Sequence, residues 1–176
     1  MPIRPLLVVL LAAALPGAVS AQHAHDHANH AAHHPPAAQA TPDSAFAALQ
    51  ARGHQAMGVD QNTSTHRFDA LPDGGRIELQ RDGDDAEGVA TIRAHLRSIA
   101  DAFSRGDFDT PAFVHEQTVP GTEVMAARRA AIRYEYRDLP RGGEIRIATA
   151  DAEALAAIHA FMAFQRGDHR AGGVHP

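Results

Sequence analysis

Residues 54–66 read His-Gln-Ala-Met-Gly-Val-Asp-Gln-Asn-Thr-Ser-Thr-His, with an imidazole at each end and a thioether and a carboxylate between them. His54 and Met57 are three positions apart, so a helical turn would carry both side chains to one side. Thioether sulfur favours Cu(I), and imidazole suits copper in either oxidation state, or zinc. Asp60 or Gln61 could add an oxygen ligand or hold a ring nitrogen from behind. His66 shares strand parity with Phe68, which aims it at the packed side of a sheet, where a ring nitrogen needs a partner. The same residues also admit an ordinary structural role: Met57 in a core, His54 in solvent, His66 bonded to a carbonyl.

Further ligand-type residues lie elsewhere. His115 stands in Phe-Val-His-Glu-Gln-Thr at 113–118, and Met125 is a second soft candidate. His95 and His159 flank helical stripes, positions that suit half-buried structural histidines. His169 follows Gly167-Asp168 and suits a helix C-terminus, where a positive ring is favoured. Residues 22–43 are an Ala/His/Pro tract holding His23, His25, His27, His30, His33 and His34. Such a tract cannot bury a core and is expected to be disordered. Its imidazoles permit many weak coordination modes, which would recruit or buffer metal rather than fix one ion.

Several chemistries are excluded by composition. The chain has no cysteine, so disulfides, thiolate nucleophiles and thiolate ligands are absent. All 16 Lys-plus-Arg residues are arginine, which removes Schiff-base and P-loop lysine chemistry. A formal charge of −5 without a basic patch argues against nucleic acid as a partner. GxSxG, HExxH, GxxxxGK[ST] and GxGxxG motifs are all missing.

These residues must be positioned by a small set of elements. Residues 1–21 have the pattern of an export signal: Arg4, an apolar run from Leu6 to Leu15, Pro16-Gly17, then Val19-Ser20-Ala21 before Gln22. That run is too short to span a bilayer. A single globular domain is expected over 44–170, with a flexible tail at 171–176. Residues 44–53 suggest a short helix capped by Ser44. His66, Phe68 and Ala70, then Leu-Pro-Asp-Gly-Gly at 71–75, then Ile77 and Leu79 predict a hairpin. Val89, Ile92, Leu96, Ile99 and Phe103 recur at helical spacing, and Gly106 ends that helix. The second half repeats the order: Ile132, Tyr134 and Tyr136, Leu-Pro-Arg-Gly-Gly at 139–143, Ile145 and Ile147, then a helix capped by Asp151 with Leu155, Ile158, Met162 and Gln165 on one side. LPDGGRIEL at 71–79 answers LPRGGEIRI at 139–147, and Arg-Gly-Asp occurs at 105–107 and 166–168. The expected fold is α+β: a duplicated ββα unit forming a four-stranded, mostly antiparallel sheet with two helices on one face. Residues 107–131, with Pro111, Pro120 and Gly121, predict an irregular or 3₁₀-like connection. It and the 54–66 segment each lead into a first strand, which would place His54, Met57, His66 and His115 at one end of the sheet.

The stretch from His54 to Arg170 resembles a family of small exported bacterial proteins. The resemblance rests on HxxMGxDQ, here His54, Met57, Gly58, Asp60 and Gln61; on Thr65, His66 and Phe68; on Leu71 to Gly75; and on Phe164-Gln165 with His169. The family often shows a second His before the Phe, where this chain has Arg67. Some members carry the name aspartate carbamoyltransferase. Carbamoyl-phosphate enzymes resemble two large α/β domains with a Ser-Thr-Arg-Thr-Arg phosphate cradle, and Ser64-Thr65-His66-Arg67 is only a partial echo of that. The resemblance implies a shared fold and draws attention to His54, Met57 and His66.

Together these features lead to the expectation of a periplasmic or secreted metal-binding protein, with copper foremost and zinc as the alternative cofactor. It would act as a buffer, chaperone or tolerance factor, its partner being a metal ion and neither nucleic acid nor, after signal cleavage, a membrane. The runner-up is a small exported hydrolase using His66 or His115 as acid or base. A third possibility is a structural or partner-binding domain with an incidental His-rich linker.

Overall fold

The computed structural model describes residues 41–171. The export signal, the histidine arm up to position 40, and the tail from 172 lie outside the described residues. The elements are α1 Pro42–Met57, a 3₁₀ turn Gln61–Thr63, β1 Ser64–Leu71, β2 Gly74–Arg81, α2 Ala86–Ser104, α3 Asp109–His115, α4 Thr122–Ala127, a 3₁₀ turn Arg129–Ala131, β3 Ile132–Leu139, β4 Gly142–Thr149 and α5 Ala152–Asp168. The four strands form one antiparallel sheet in the order β1-β2-β4-β3. The fold is α+β, with the helices on one face of the sheet, as the duplicated pattern implies.

The repeated Leu-Pro-x-Gly-Gly motif has a steric reason at both sites. Each is a two-residue hairpin loop, since Leu71 pairs with Gly74 and Leu139 with Gly142. A Cβ on Gly74 would meet the carbonyl oxygen of Ile147 at 2.0 Å, and one on Gly142 would meet that of Leu79 at 2.0 Å. These two glycines let the central strands β2 and β4 close against each other at their ends. A Cβ on Gly75 would press on Met162 and Ile158 of α5, so that glycine sets how closely the helix lies on the sheet.

The helices are exchanged between the halves. α2 follows the first hairpin yet packs mainly over β3 and β4, while α5 follows the second and packs mainly over β1 and β2. The α2 stripe buries Ile92, Leu96, Ile99 and Phe103, and α5 buries Ile158, Phe161 and Met162. Each such side chain contributes roughly 1.5–3 kcal/mol on leaving water. Asp85 and Asp151 cap the two helices by accepting from Gly88 N–H and Ala154 N–H at 2.9 Å.

The uncovered face of the sheet is charged. Across the four strands one row runs Arg67, Glu78, Glu144, Arg137, and the next runs Asp69, Arg76, Arg146, Glu135. Each hairpin pairs opposite charges internally. At the β2–β4 seam, Arg76 faces Arg146 and Glu78 faces Glu144. The two halves therefore carry inverted charges at equivalent positions.

Two local expectations are revised. α1 is longer than 44–53: Thr41, not Ser44, caps it, accepting from Ser44 N–H at 3.2 Å, with Pro42 in the first turn. The helix runs on to Met57, and Gly58, at φ +75°, ends it by giving its N–H to His54 C=O at 2.8 Å. The connection over 107–131 contains the short helices α3 and α4 before its 3₁₀ turn, with Pro111 accommodated in the first turn of α3, where no N–H is needed.

Candidate functional site

The HxxMGxDQ segment is a helix stop that aims two side chains inward. Gly58 turns the chain out of α1. Asp60 then caps the 3₁₀ turn, accepting from Asn62 N–H at 2.8 Å. Between these turns Met57 and Gln61 are buried, while His54 and Asp60 are exposed. His54 and Asp60 share a separate groove with Arg81, Asp85 and Glu87. The boundary of the packed face falls between positions 54 and 57 of α1, so their helical proximity does not bring both side chains to one site.

Met57 and Gln61 open into a cavity of about 80 Å³ lined by α1, β1, β2, α2, α3 and α5. His66, His95, His115 and His169 all line it, with Gln165. The remaining wall is largely apolar, including Phe68, Leu79, Leu96, Ile99, Phe103 and Phe161. His66 Nε2 stands 3.3 Å from Met57 Sδ. The His66 ring stacks at 5.5 Å on that of His169, which meets His115 edge-on at 5.0 Å.

Second partners fix several of these rings. His169 Nδ1 lies 3.3 Å from Gln61 Oε1, so an N–H there donates to the amide oxygen and leaves Nε2 with a lone pair. His115 Nδ1 donates to the Asp168 carboxylate. Its Nε2 is 3.1 Å from Gln165 Oε1. Carboxylate–imidazole pairs of this kind orient metal-ligating histidines and also general bases. Gln61 needs a glycine opposite it, which is Gly53 on α1. The Gln61 Nε2 donor is buried without a partner.

Burial sets the electrostatics. The His66 ring is pushed down to about 4, first by burial and then by the nearby His95. Burial likewise lowers His95 to about 4. His169 falls to about 3 through burial and then through His66 and His115, with Asp168 opposing. At neutral pH these three rings are uncharged and present lone pairs, the state a Lewis acid needs.

The cavity adjoins an outer groove. Gln61, His66, Phe68 and His169 line both the cavity and an outer groove that includes Phe46, Gln50, Arg67 and Arg170. These side chains are the partition between the two. Arg166 braces it by donating from Nε and Nη2 to the carbonyl of Phe68 at 3.0 and 2.7 Å.

Of the residues singled out from sequence, Met57, His66 and His115 meet at this cavity. The expected reason, two connections at one sheet end, is not the operative one, because β1 and β3 are opposite edges that run in opposite directions, so their starts lie at opposite ends of the sheet. His115 arrives because α3 packs against α1. Met125 is fully buried in the core away from the cavity. His159 donates from Nε2 to the Leu71 carbonyl at 2.8 Å, a structural role. His95 and His169, read from sequence as flank and cap residues, line the cavity. Gln165 gave a clue, being the polar member of an otherwise apolar stripe. The FQxxxH element of the resemblance contains both Gln165 and His169. Among the described residues no group of three or more His, Asp or Glu is already gathered closely enough to hold a metal ion. The one close approach of an imidazole nitrogen to a thioether among the described residues is the Met57–His66 pair. Among the described residues no helix is long and apolar enough to cross a membrane. No protein-family model, no curated protein and no solved structure matches this chain.

Proposed function

We propose that this protein binds a soft transition-metal ion, copper foremost, in the histidine-lined cavity, and acts outside the cytoplasm as a copper buffer, chaperone or tolerance factor. The observation that carries this reading is the 3.3 Å approach of Met57 Sδ to His66 Nε2 in a cavity also lined by His95, His115 and His169. Thioether plus uncharged imidazole is a donor set suited to copper. His169, stacked on the His66 ring, offers a third donor, and His115 is oriented by Asp168 behind it. The six arm histidines, His23, His25, His27, His30, His33 and His34, would gather ions at lower affinity. His54 and Asp60 are assigned no part in the cavity.

The absence of cysteine makes the test specific. Any sulfur beside bound copper must come from methionine. X-ray absorption on the full chain loaded with one equivalent of Cu(I) is expected to show sulfur and nitrogen scatterers. Met57→Leu, which keeps the apolar volume, should remove the sulfur scatterer, and His66→Ala should lower affinity. A nitrogen-only spectrum, unchanged by Met57→Leu, would mean that only the arm binds copper.

The His115–Asp168 pair favours a second reading, a hydrolase in which His115 is the general base. Its test is turnover of small ester and amide substrates by metal-free protein, lost in His115→Gln.

A further inference from the structure

The charge inventory of the cavity bears on which ion it accepts. Among the described residues its wall contains no carboxylate and no arginine. Met57 is neutral, and an imidazole coordinating through a lone pair is neutral too. Among the described residues, the one carboxylate hydrogen-bonded to a wall residue is Asp168, bonded to His115 Nδ1. An ion entering this largely apolar cavity sheds hydration, and that cost rises with the square of its charge. Neutral donors leave the net charge of a divalent ion uncompensated, and one carboxylate behind an imidazole answers one positive charge. Thioether sulfur narrows the choice to soft ions.

We propose that the cavity selects by charge, accepting a monovalent soft cation such as Cu(I) and disfavouring divalent ions, with Asp168 supplying the single compensating charge through His115. This rests on the cavity being an ion seat. Asp168 is a positioning and counter-charge residue that does not touch the ion.

The test uses the full chain with ¹³C-methyl methionine, the Met57 signal being identified by its loss in Met57→Leu. This reporter sits in the cavity, so ions on the histidine arm do not register on it. Ag(I), a redox-inert monovalent probe, and Zn(II) are titrated at free concentrations set by competing chelators. Ag(I) is expected to shift the Met57 methyl at a free concentration about 100-fold or more below that needed for Zn(II). Asp168→Asn keeps an acceptor for His115 but removes the charge. It should weaken Ag(I) by about 10-fold and Zn(II) by about the square of that, because the lost attraction scales with ion charge. General loosening of the site would instead weaken both ions by similar factors. Zn(II) binding as tightly as Ag(I) in the wild-type protein overturns the charge selection while leaving the ion seat standing. A Met57 methyl that responds to neither ion overturns the seat itself. Equal losses for the two ions in Asp168→Asn overturn the assignment of Asp168. The wild-type comparison holds even if that variant fails to fold.

Discussion

The side-chain nitrogen of Gln61 lies 1.6 Å from the point where a Cβ on Gly53 would stand. Gly53 sits within α1, where alanine would ordinarily add about 1 kcal/mol of helix stability. Here Gly53→Ala must push Gln61 aside and release His169 from its hydrogen bond. The variant is expected to lose roughly 1–3 kcal/mol in urea unfolding and to bind Cu(I) more weakly. A more stable Gly53→Ala protein with unchanged affinity would show that Gln61 is not held there.

Metal-free protein should lose stability on mild acidification. His66 and His95 titrate near 4 when folded and His169 near 3, each below its ordinary 6.5. Above pH 6.5 neither the folded nor the unfolded state holds these protons, and the stability is fully present. As pH falls below 6.5 the unfolded chain takes up protons first, so stability declines through the window from about 6.5 to about 3, most of it above 4. The sum is on the order of a few kcal/mol, because each ring is partly open to solvent and the charges oppose one another. Thermal unfolding from pH 7.5 to 4 measures it. A His66→Asn, His95→Asn, His169→Asn triple variant should show a flatter profile, and an equally steep one would place the acid response elsewhere.

Tyr134 offers a contrasting case. Its hydroxyl is buried without a partner, and burial pushes its ionisation well above the ordinary value. Tyr134→Phe removes an unsatisfied polar group while keeping the ring against Phe103. The change is expected to be neutral or to stabilise by about 1 kcal/mol. Clear destabilisation in urea unfolding would mean the hydroxyl has a partner.

The charged face yields a fourth prediction. Arg76 faces Arg146 and Glu78 faces Glu144 across the seam, and like charges directly opposite are unfavourable. Exchanging the four charges of these two rows on the second hairpin (Glu135→Arg, Arg137→Glu, Glu144→Arg, Arg146→Glu) keeps its cross-strand pairs and makes the seam attractive. The expected gain is about 0.5–1 kcal/mol at low salt, smaller at high salt. Denaturant melts at two ionic strengths decide this, and a loss of stability would show that the Arg146–Asp73 contact matters more.

Much of the fold could be read from residue periodicity. The hairpins follow from alternation and Leu-Pro-x-Gly-Gly, and α2 and α5 from 3.6-residue stripes and aspartate caps. α1 was foreshortened because it is rich in Ala and Gln and has few large apolar residues to mark its period. α3 and α4 are too short for a periodic pattern to register. At the site, the strand parity of His66 with Phe68 correctly gave its inward direction. His95 and His169 were passed over because a helix flank becomes a cavity wall only when another element stands opposite it. His115 depended on α3 meeting α1, which nothing in the local sequence encodes.

The exchanged helices have a consequence for assembly. A cut in the loop after α2, between Arg105 and Phe108, would give an amino-terminal piece whose helix roofs mainly the strands of the other piece, and a carboxy-terminal piece with the reverse problem. Neither fragment could complete a folded half unaided, yet mixing them should regenerate the domain. The histidine chamber, drawing on both fragments, would exist only in the reunited pair.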